Sequence, residues 1–288
     1  MPAFDHVFVI VMENTSLSDI QGSSNEPYLN GLLQTQAYAS NYTTSTHPSL
    51  TNYITLTSGS PQGITCDCPM SGTPTSCNAL NCNLVLNSCT CPVSGVMHLG
   101  NQLDAAQIPW REYGESMLTP CTPGSPTPFA QRHVPFLYYT DIYGTPSLCQ
   151  DRVRDFDADF ATDLGAGMRR FMMISPNVCN DMHGDPSCPS TPEIQQGDTW
   201  LSMNAQAILM SKGMQAGGRD VLFIVWDEQT NDLTPAPMPL FIAGPLVKPG
   251  MTSAAYGHTS LLATVEDGLG LPRLTTTTGV TPVNDVWK

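Results

Sequence analysis

Two uninterrupted apolar runs constrain this chain more than any other feature. "HVFVIVMEN", His6 to Asn14, and "RDVLFIVWDE", Arg219 to Glu228, each read as a buried core strand. Each then stops on oxygen-bearing side chains: Glu13 and Asn14 in the first, Asp227 and Glu228 in the second. A core strand has no structural use for such a pair, because burying an unpaired carboxylate costs several kcal/mol or shifts its protonation. In a parallel α/β sheet, ligands bind outside the carboxyl ends of the strands. Four oxygen donors on that rim, three of them formally anionic, would repel one another without a cation between them. Hard oxygen ligands suit Ca²⁺, Mg²⁺ or Mn²⁺, and Zn²⁺ also accepts carboxylates, usually alongside His or Cys. A divalent metal ion is therefore expected at Glu13, Asn14, Asp227 and Glu228, with its identity and number open.

The rest of the chain supplies alternating elements. Residues 6–12 form the first strand. "PYLNGLLQTQAYASNYTT" gives a helix, then a short extended piece. "HPSLTNYITLTSGS" gives a helix with Pro48 in its first turn and Gly59 as its stop. "IPWREYGESM" reads as a strand leading into a helix, and "HVPFLYYTDI" as a further strand. "DFDADFATDL" is an acidic helix, and "RRFMMISPNV" a core strand ending at Pro176. "GDTWLSMNAQAILMSKGM" is an amphipathic helix with Asp198 as its cap. "PLFIAGPLV" adds a strand and "GHTSLLATVEDGLGL" a final helix. This alternation predicts an α/β fold with a mostly parallel central sheet and helices on both faces. The whole chain, 1–288, is expected to be one domain, with the turn-rich stretch 61–95 an insertion within it.

Composition narrows the function. Net charge is −14, from 25 acidic against 11 basic residues, and Lys and Arg form no stripe. Phosphate-backbone binding needs such a stripe, which excludes nucleic acid as a partner. A small anionic substrate would be repelled at long range unless a cation or a local Arg offset the field. Cys66, Cys68, Cys77, Cys82, Cys89 and Cys91 crowd into the insertion, with Cys121, Cys149, Cys179 and Cys188 further on. Their spacing matches no paired CxxC zinc pattern and no His lies among them, so disulfides staple the loop, without an assignable pairing. That places the protein in an oxidising compartment, secreted or periplasmic. No run approaches the ~20 apolar residues of a membrane span. Met1 is read as an added start, any natural secretion signal being already removed.

Three further positions carry chemistry. Ser49, in "THPSLTNY", stands at the N-terminal turn of a helix, where free N–H groups favour negative charge. A hydroxyl there, beside a cation, can attack phosphorus while the helix end stabilises the equatorial oxygens. Read alone, Ser49 is merely a helix cap. His183 and His258 follow strands and suit a second metal or the protonation of a leaving oxygen. His133, beside Arg132, makes the basic pair best suited to a phosphate. "NTS" at Asn14 and "NYT" at Asn41 are formal glycosylation sequons; Asn14 is expected to be unmodified.

With these residues in order, the chain resembles the phosphoesterase family of secreted acid phosphatases and phospholipases C, within the alkaline-phosphatase-like superfamily. The resemblance rests on collinear segments over nearly the whole chain, among them "VIVMENTS", "THPSLTNYITLTSGSPQGI", "SPNVCNDMHGD", "DVLFIVWDE" and "GHTSLLATVEDGLGLP". It implies Ser49 as nucleophile, with Thr46 the competing hydroxyl. Thr51 stands where the family has Pro, and Asn52 matches a substrate-binding Asn. It implies Glu13 with Asn14 and Asp227 with Glu228 as metal pairs, Glu228 standing where Asp is common. Asp67 falls where superfamily members place a phosphate-contacting Asn. A second metal would involve His258, with Asp181 and His183 fitting more loosely. The implied activity is hydrolysis of phosphoric monoesters through a phosphoserine, on a small phosphorylated substrate or a phospholipid headgroup. Phospholipase C, phosphoinositide phosphatase and an inactive binding protein are the alternatives; oligomeric state is not implied.

Overall fold

A computed structural model describes residues 1–44, 46–70, 90–230 and 236–288. Its centre is an eight-stranded sheet, built from β1 (Val7–Met12), β2 (Ala37–Tyr42), β3 (Trp110–Gly114), β4 (Val153–Asp155), β5 (Phe171–Ser175), β6 (Val221–Trp226), β7 (Met238–Ala243) and β8 (Gly250–Thr252), in the order β4-β3-β5-β1-β6-β7-β2-β8. Only β7 runs antiparallel to its neighbours, β6 and β2; the other pairings are parallel. The two all-apolar runs became β1 and β6, every residue of both being buried. They lie side by side at the middle, where a strand covered on both faces must be apolar throughout.

The helices are α1 (Leu17–Ile20), α2 (Pro27–Thr35), α3 (Ser49–Ser58), α4 (Leu99–Ala105), α5 (Thr140–Tyr143), α6 (Pro146–Arg152), α7 (Ala161–Ala166), α8 (Glu193–Leu209) and α9 (His258–Leu269). They pack with one another in three groups, α3 with α4 and α9, α2 with α8, and α5 with α6. Helix α3 ends at Gly59, whose φ of 78° is a left-handed conformation. A Cβ there would meet Thr276 Oγ1 at 2.4 Å, so only glycine fits.

Several local expectations are corrected. "HVPFLYYTDI" is not a strand but two short 3₁₀ turns, Gln131–His133 and Pro135–Leu137, running into α5. Pro135 lacks a ladder N–H, and residues 133–139 are all buried, so the segment has no strand-like alternation. No helix follows β3: Glu115 N instead donates to Ser175 O, and Ser116 and Leu118 take positive φ. Pro48 is the N-cap of α3 rather than part of its first turn. Asp198 lies inside α8, which begins earlier at Glu193, and caps a different helix. Its carboxylate accepts from Tyr28 N (3.1 Å) and Leu29 N (2.9 Å) at the start of α2.

Among the described residues, disulfides join Cys68 to Cys91, Cys121 to Cys149 and Cys179 to Cys188. The first closes the base of the cysteine-rich insertion, with Cys66 buried against it. Cys77, Cys82 and Cys89 lie outside the described residues. No helix among the described residues is long and apolar enough to cross a membrane.

One buried acid sets a pH dependence of stability. Glu26, at the N-cap of α2, is fully buried with neither carboxylate oxygen in a well-aligned hydrogen bond. Burial pushes its carboxyl up to about 7, the nearby charges of Asp198 and Asp19 adding to the effect and Ser23 opposing it. In the unfolded chain it ionises near its ordinary value of 4.5. The folded state therefore loses stability as pH rises through that interval. Glu26→Gln is expected to stabilise the protein by about 1–3 kcal/mol at pH 8 and to change little at pH 4. Thermal melts of both proteins at the two pH values check this.

Candidate active site

The parallel register brings the two acidic strand ends together. Met12 pairs with Trp226, so the next residue on each strand, Glu13 and Asp227, emerges at the same carboxyl edge. Asp227 N donates to Met12 O at 3.0 Å, and Glu13 N donates to Asp181 O at 2.8 Å, which draws in the loop after β5. Asn14 takes a φ of 35°, a turn that Asn tolerates better than most residues, and its N–H donates to Asp227 Oδ1 at 3.3 Å.

Helix α3 begins over this edge. The Ser49 hydroxyl donates to Glu13 Oε2 at 3.0 Å and also reaches the Asp227 carboxylate. One turn on, the Tyr53 hydroxyl donates to Glu13 Oε1 at 2.7 Å. A tyrosine on a helix reads as ordinary core packing, so the sequence carried no signal of this contact. Thr46 is turned elsewhere: its hydroxyl donates to Asn52 Oδ1.

Charge is the dominant fact of the site. Glu13, Asp181 and Asp227 are completely buried and Glu228 almost so, with Arg132 the nearest guanidinium. Burial holds the Glu13, Asp181 and Asp227 carboxyls well above the usual range. Mutual repulsion adds to it, Asp181 acting on Glu13 and Glu13 on Asp227. Asn14 Oδ1, Asp181 Oδ2 and Asp227 Oδ2 are buried without a hydrogen-bond partner. Orphaned buried oxygens on a rim of carboxylates are the donor set a divalent cation takes.

His133 is fully buried between two of these acids, Nε2 lying 3.4 Å from Glu13 Oε1 and Nδ1 3.2 Å from Asp181 Oδ2. Those separations admit a hydrogen bond, but neither nitrogen is aligned for one. Burial, reinforced by Arg132, holds the imidazole well below its ordinary value. Its ring stacks on Tyr53, at 5.2 Å between centroids, within the acidic rim rather than beside Arg132 at an open phosphate site.

Two more expectations change for physical reasons. Both ring nitrogens of His258 are engaged: Nε2 with the main-chain oxygen of Asp227 (2.7 Å) and Nδ1 with Tyr42 Oη (2.8 Å). A carbonyl only accepts, so Nε2 carries the proton and Nδ1 accepts from the tyrosine. Burial pushes His258 down to about 4. The ring fixes the backbone beneath Asp227 and has no nitrogen left for a metal or a leaving group. Asn52 is similarly occupied: Nδ2 donates to Glu228 Oε2 (2.9 Å) and to Thr46 O (3.0 Å), and Oδ1 accepts from Thr44 and Thr46. It ties Glu228 to α3 instead of facing substrate. His47 approaches the same oxygen, with Nδ1 2.9 Å from Glu228 Oε2.

His183 is exposed at the mouth, its N–H donating to Asp181 Oδ1 (2.8 Å) and its Nδ1 bonded to Gly184 O (2.8 Å). Its ring lies 6.4 Å from that of His133. Asp67 caps the first turn of α3, Oδ1 accepting from Leu50 N at 3.0 Å, and Arg132 Nε is 3.7 Å from its other oxygen. Asp181 and Arg132 are the charged members that the strand-end pattern did not single out, because both come from loops.

Comparison with known proteins identifies the family and the fold. A sequence model described as the Phosphoesterase family matches residues 23–272. A phosphatidylinositol-3-phosphatase of Mycobacterium tuberculosis is 27% identical over 293 aligned positions, covering all of this chain and 84% of that protein. Among solved structures, an alkaline phosphatase superfamily protein from Vibrio parahaemolyticus superposes with a TM-score of 0.62 at 11% identity, over 96% of this chain and 69% of that one. A lipoteichoic acid synthase from Listeria monocytogenes gives 0.57 at 14% identity, over 94% and 73%.

Proposed function

The chain belongs to the Phosphoesterase family and is a phosphoester hydrolase, and from that premise we propose that it is an exported, cation-dependent phosphomonoesterase with Ser49 as nucleophile. The observation that carries this reading is the Ser49 hydroxyl at the start of α3, 3.0 Å from Glu13 Oε2 on a rim of buried, incompletely paired carboxylates. Glu13, Asn14 and Asp227 would hold a divalent cation, with Glu228 beside them. When bound, such an ion neutralises the rim and polarises a phosphoryl oxygen. The remaining steps belong to the chain's own residues.

The substrate's phosphoryl group sits between the N-terminal turn of α3 and Arg132, whose positive charges oppose those on its equatorial oxygens. The Ser49 proton passes toward the carboxylates it already faces. The freed oxygen attacks phosphorus, forming the Ser49 O–P bond as the P–O bond to the alcohol breaks. His183, exposed at the mouth with Nε2 clear of its bond to Gly184 O, gives the departing oxygen a proton. Water then cleaves the phosphoserine, releasing inorganic phosphate and restoring Ser49. His258 and Asn52 act as positioning residues, through Asp227 and Glu228. The disulfides suit an oxidising compartment outside the cytoplasm.

The 27% identity to a phosphatidylinositol-3-phosphatase supports a phosphoinositide headgroup as the substrate class. Side-by-side assays separate this from a phospholipase C. Soluble phosphatidylinositol 3-phosphate and p-nitrophenyl phosphate are expected to release inorganic phosphate, while p-nitrophenylphosphorylcholine is left intact. The reverse pattern would establish a phosphodiesterase and sink the monoesterase reading.

A further inference from the structure

Asp67 sits where a substrate anion would be expected, and nothing in the reaction above uses it. Its Oδ1 accepts from Leu50 N at 3.0 Å, in the first turn of the ten-residue helix that begins with Ser49. Its Oδ2 lies 3.7 Å from Arg132 Nε. A helix N–H and a guanidinium, one residue from the nucleophile, together form an anion site. Here a side chain of the protein itself fills it.

Two further observations show that the place is built and not a chance surface contact. Asp67 and Arg132 line a cavity of about 260 Å³ together with Pro69, Ser125, Gln131 and Tyr138. Gln131 is 97% buried, and its side-chain Nε2 has no hydrogen-bond partner, leaving an unanswered donor among these residues. The carboxylate is also held firmly in place. The Tyr138 hydroxyl donates to the main chain of the next residue, Cys68, which is bonded to Cys91. Among the described residues, Arg132 and the imidazole of His183 face Asp67, with Tyr138 beside it. Burial raises the carboxyl while the Leu50 N–H and Arg132 draw it back.

Resting on the phosphatase reading, we propose that Asp67 is a built-in competitor for the phosphoryl subsite, selecting substrates whose phosphate carries fewer negative charges. A dianion brought to Leu50 N–H and Arg132 meets a fixed carboxylate of the same sign, and like charges at contact oppose binding strongly. A protonated, monoanionic phosphate can donate a hydrogen bond to Asp67 and share the site. The residue thus disfavours dianionic phosphates, including the inorganic product at neutral pH.

The test is binding of inorganic phosphate, followed by calorimetry at pH 7.5, to the wild-type protein and to Asp67→Asn. Asparagine keeps the acceptor for Leu50 N and removes only the charge. At least about tenfold tighter phosphate binding is expected, with the gain cancelled in Asp67→Asn combined with Arg132→Gln. Asp67→Ser, read by phosphate-dependent thermal stabilisation, gives the same comparison should the asparagine variant fold poorly. Unchanged or weaker binding in the charge-free variants overturns the proposal, as does a failure of both proteins to bind phosphate. Turnover of p-nitrophenyl phosphate by the same wild-type sample would in those cases leave the phosphatase reading standing.

Discussion

Replacing Ser49 with alanine is expected to lower turnover of p-nitrophenyl phosphate by ~10⁴-fold or more, as loss of a covalent nucleophile does elsewhere. The fold has little reason to suffer. Ser49 is buried, but its hydroxyl serves only the acidic rim, and alanine suits the first turn of a helix. The variant should therefore melt within about a degree of wild type while losing its activity. A rapid-quench experiment with a ³²P-labelled monoester adds a second readout: label should appear on wild-type protein and not on the variant. Turnover that survives the substitution would remove the phosphoserine mechanism. It would also return attention to Thr46, whose hydroxyl instead points at Asn52.

The second large effect concerns charge. Removing divalent ions with a chelator is expected to abolish activity, and Asp227→Asn to reduce it by ~10²–10⁴-fold. The accompanying stability change distinguishes this from simple damage. Asparagine at 227 can still accept from Asn14 N and Glu228 N through Oδ1, while removing one of the crowded buried charges. In chelator at neutral pH the variant should consequently melt higher than wild type. The sign follows from burial: the Asp227 and Glu13 carboxyls are raised in the folded state. The chelated wild-type protein is therefore most stable in acid and loses stability as pH climbs through their raised values. Adding back Mn²⁺ or Mg²⁺ should stabilise the wild type by about 2–3 kcal/mol at a hundredfold excess over the dissociation constant, and the variant much less. A wild-type melting temperature indifferent to every divalent ion tried would argue against a cation on this rim.

Much of the framework was legible because β1 and β6 announce themselves. A run such as "VFVIVM" has few places to go except a sheet covered on both faces, and parallel pairing then sets Glu13 beside Asp227. The helix that carries Ser49 was legible for a related reason, since Pro48 and Gly59 mark its two ends, whereas the nucleophile role of Ser49 came from the family resemblance. Other residues were hidden by their surroundings. "HVPFLYY" is apolar enough for a strand, yet its proline and lack of alternation send it into 3₁₀ turns, which is what delivers Arg132 and His133 to the site. Asp181 occupies a loop crowded with polar residues, and its place at the rim is set by contacts from distant segments, Glu13 N and His133 Nδ1. His258 and Asn52 show the opposite difficulty. Their residue types suit chemistry, but whether a ring nitrogen or an amide faces a substrate depends on partners such as Tyr42 and Glu228, distant in the chain.

The acidic rim draws its members from segments that become neighbours only when β1, β5 and β6 have been laid side by side. A cation held by that rim would therefore be captured only after those strands have come together. A cation bound at this rim would then be drawn from the fluid in which the sheet is completed.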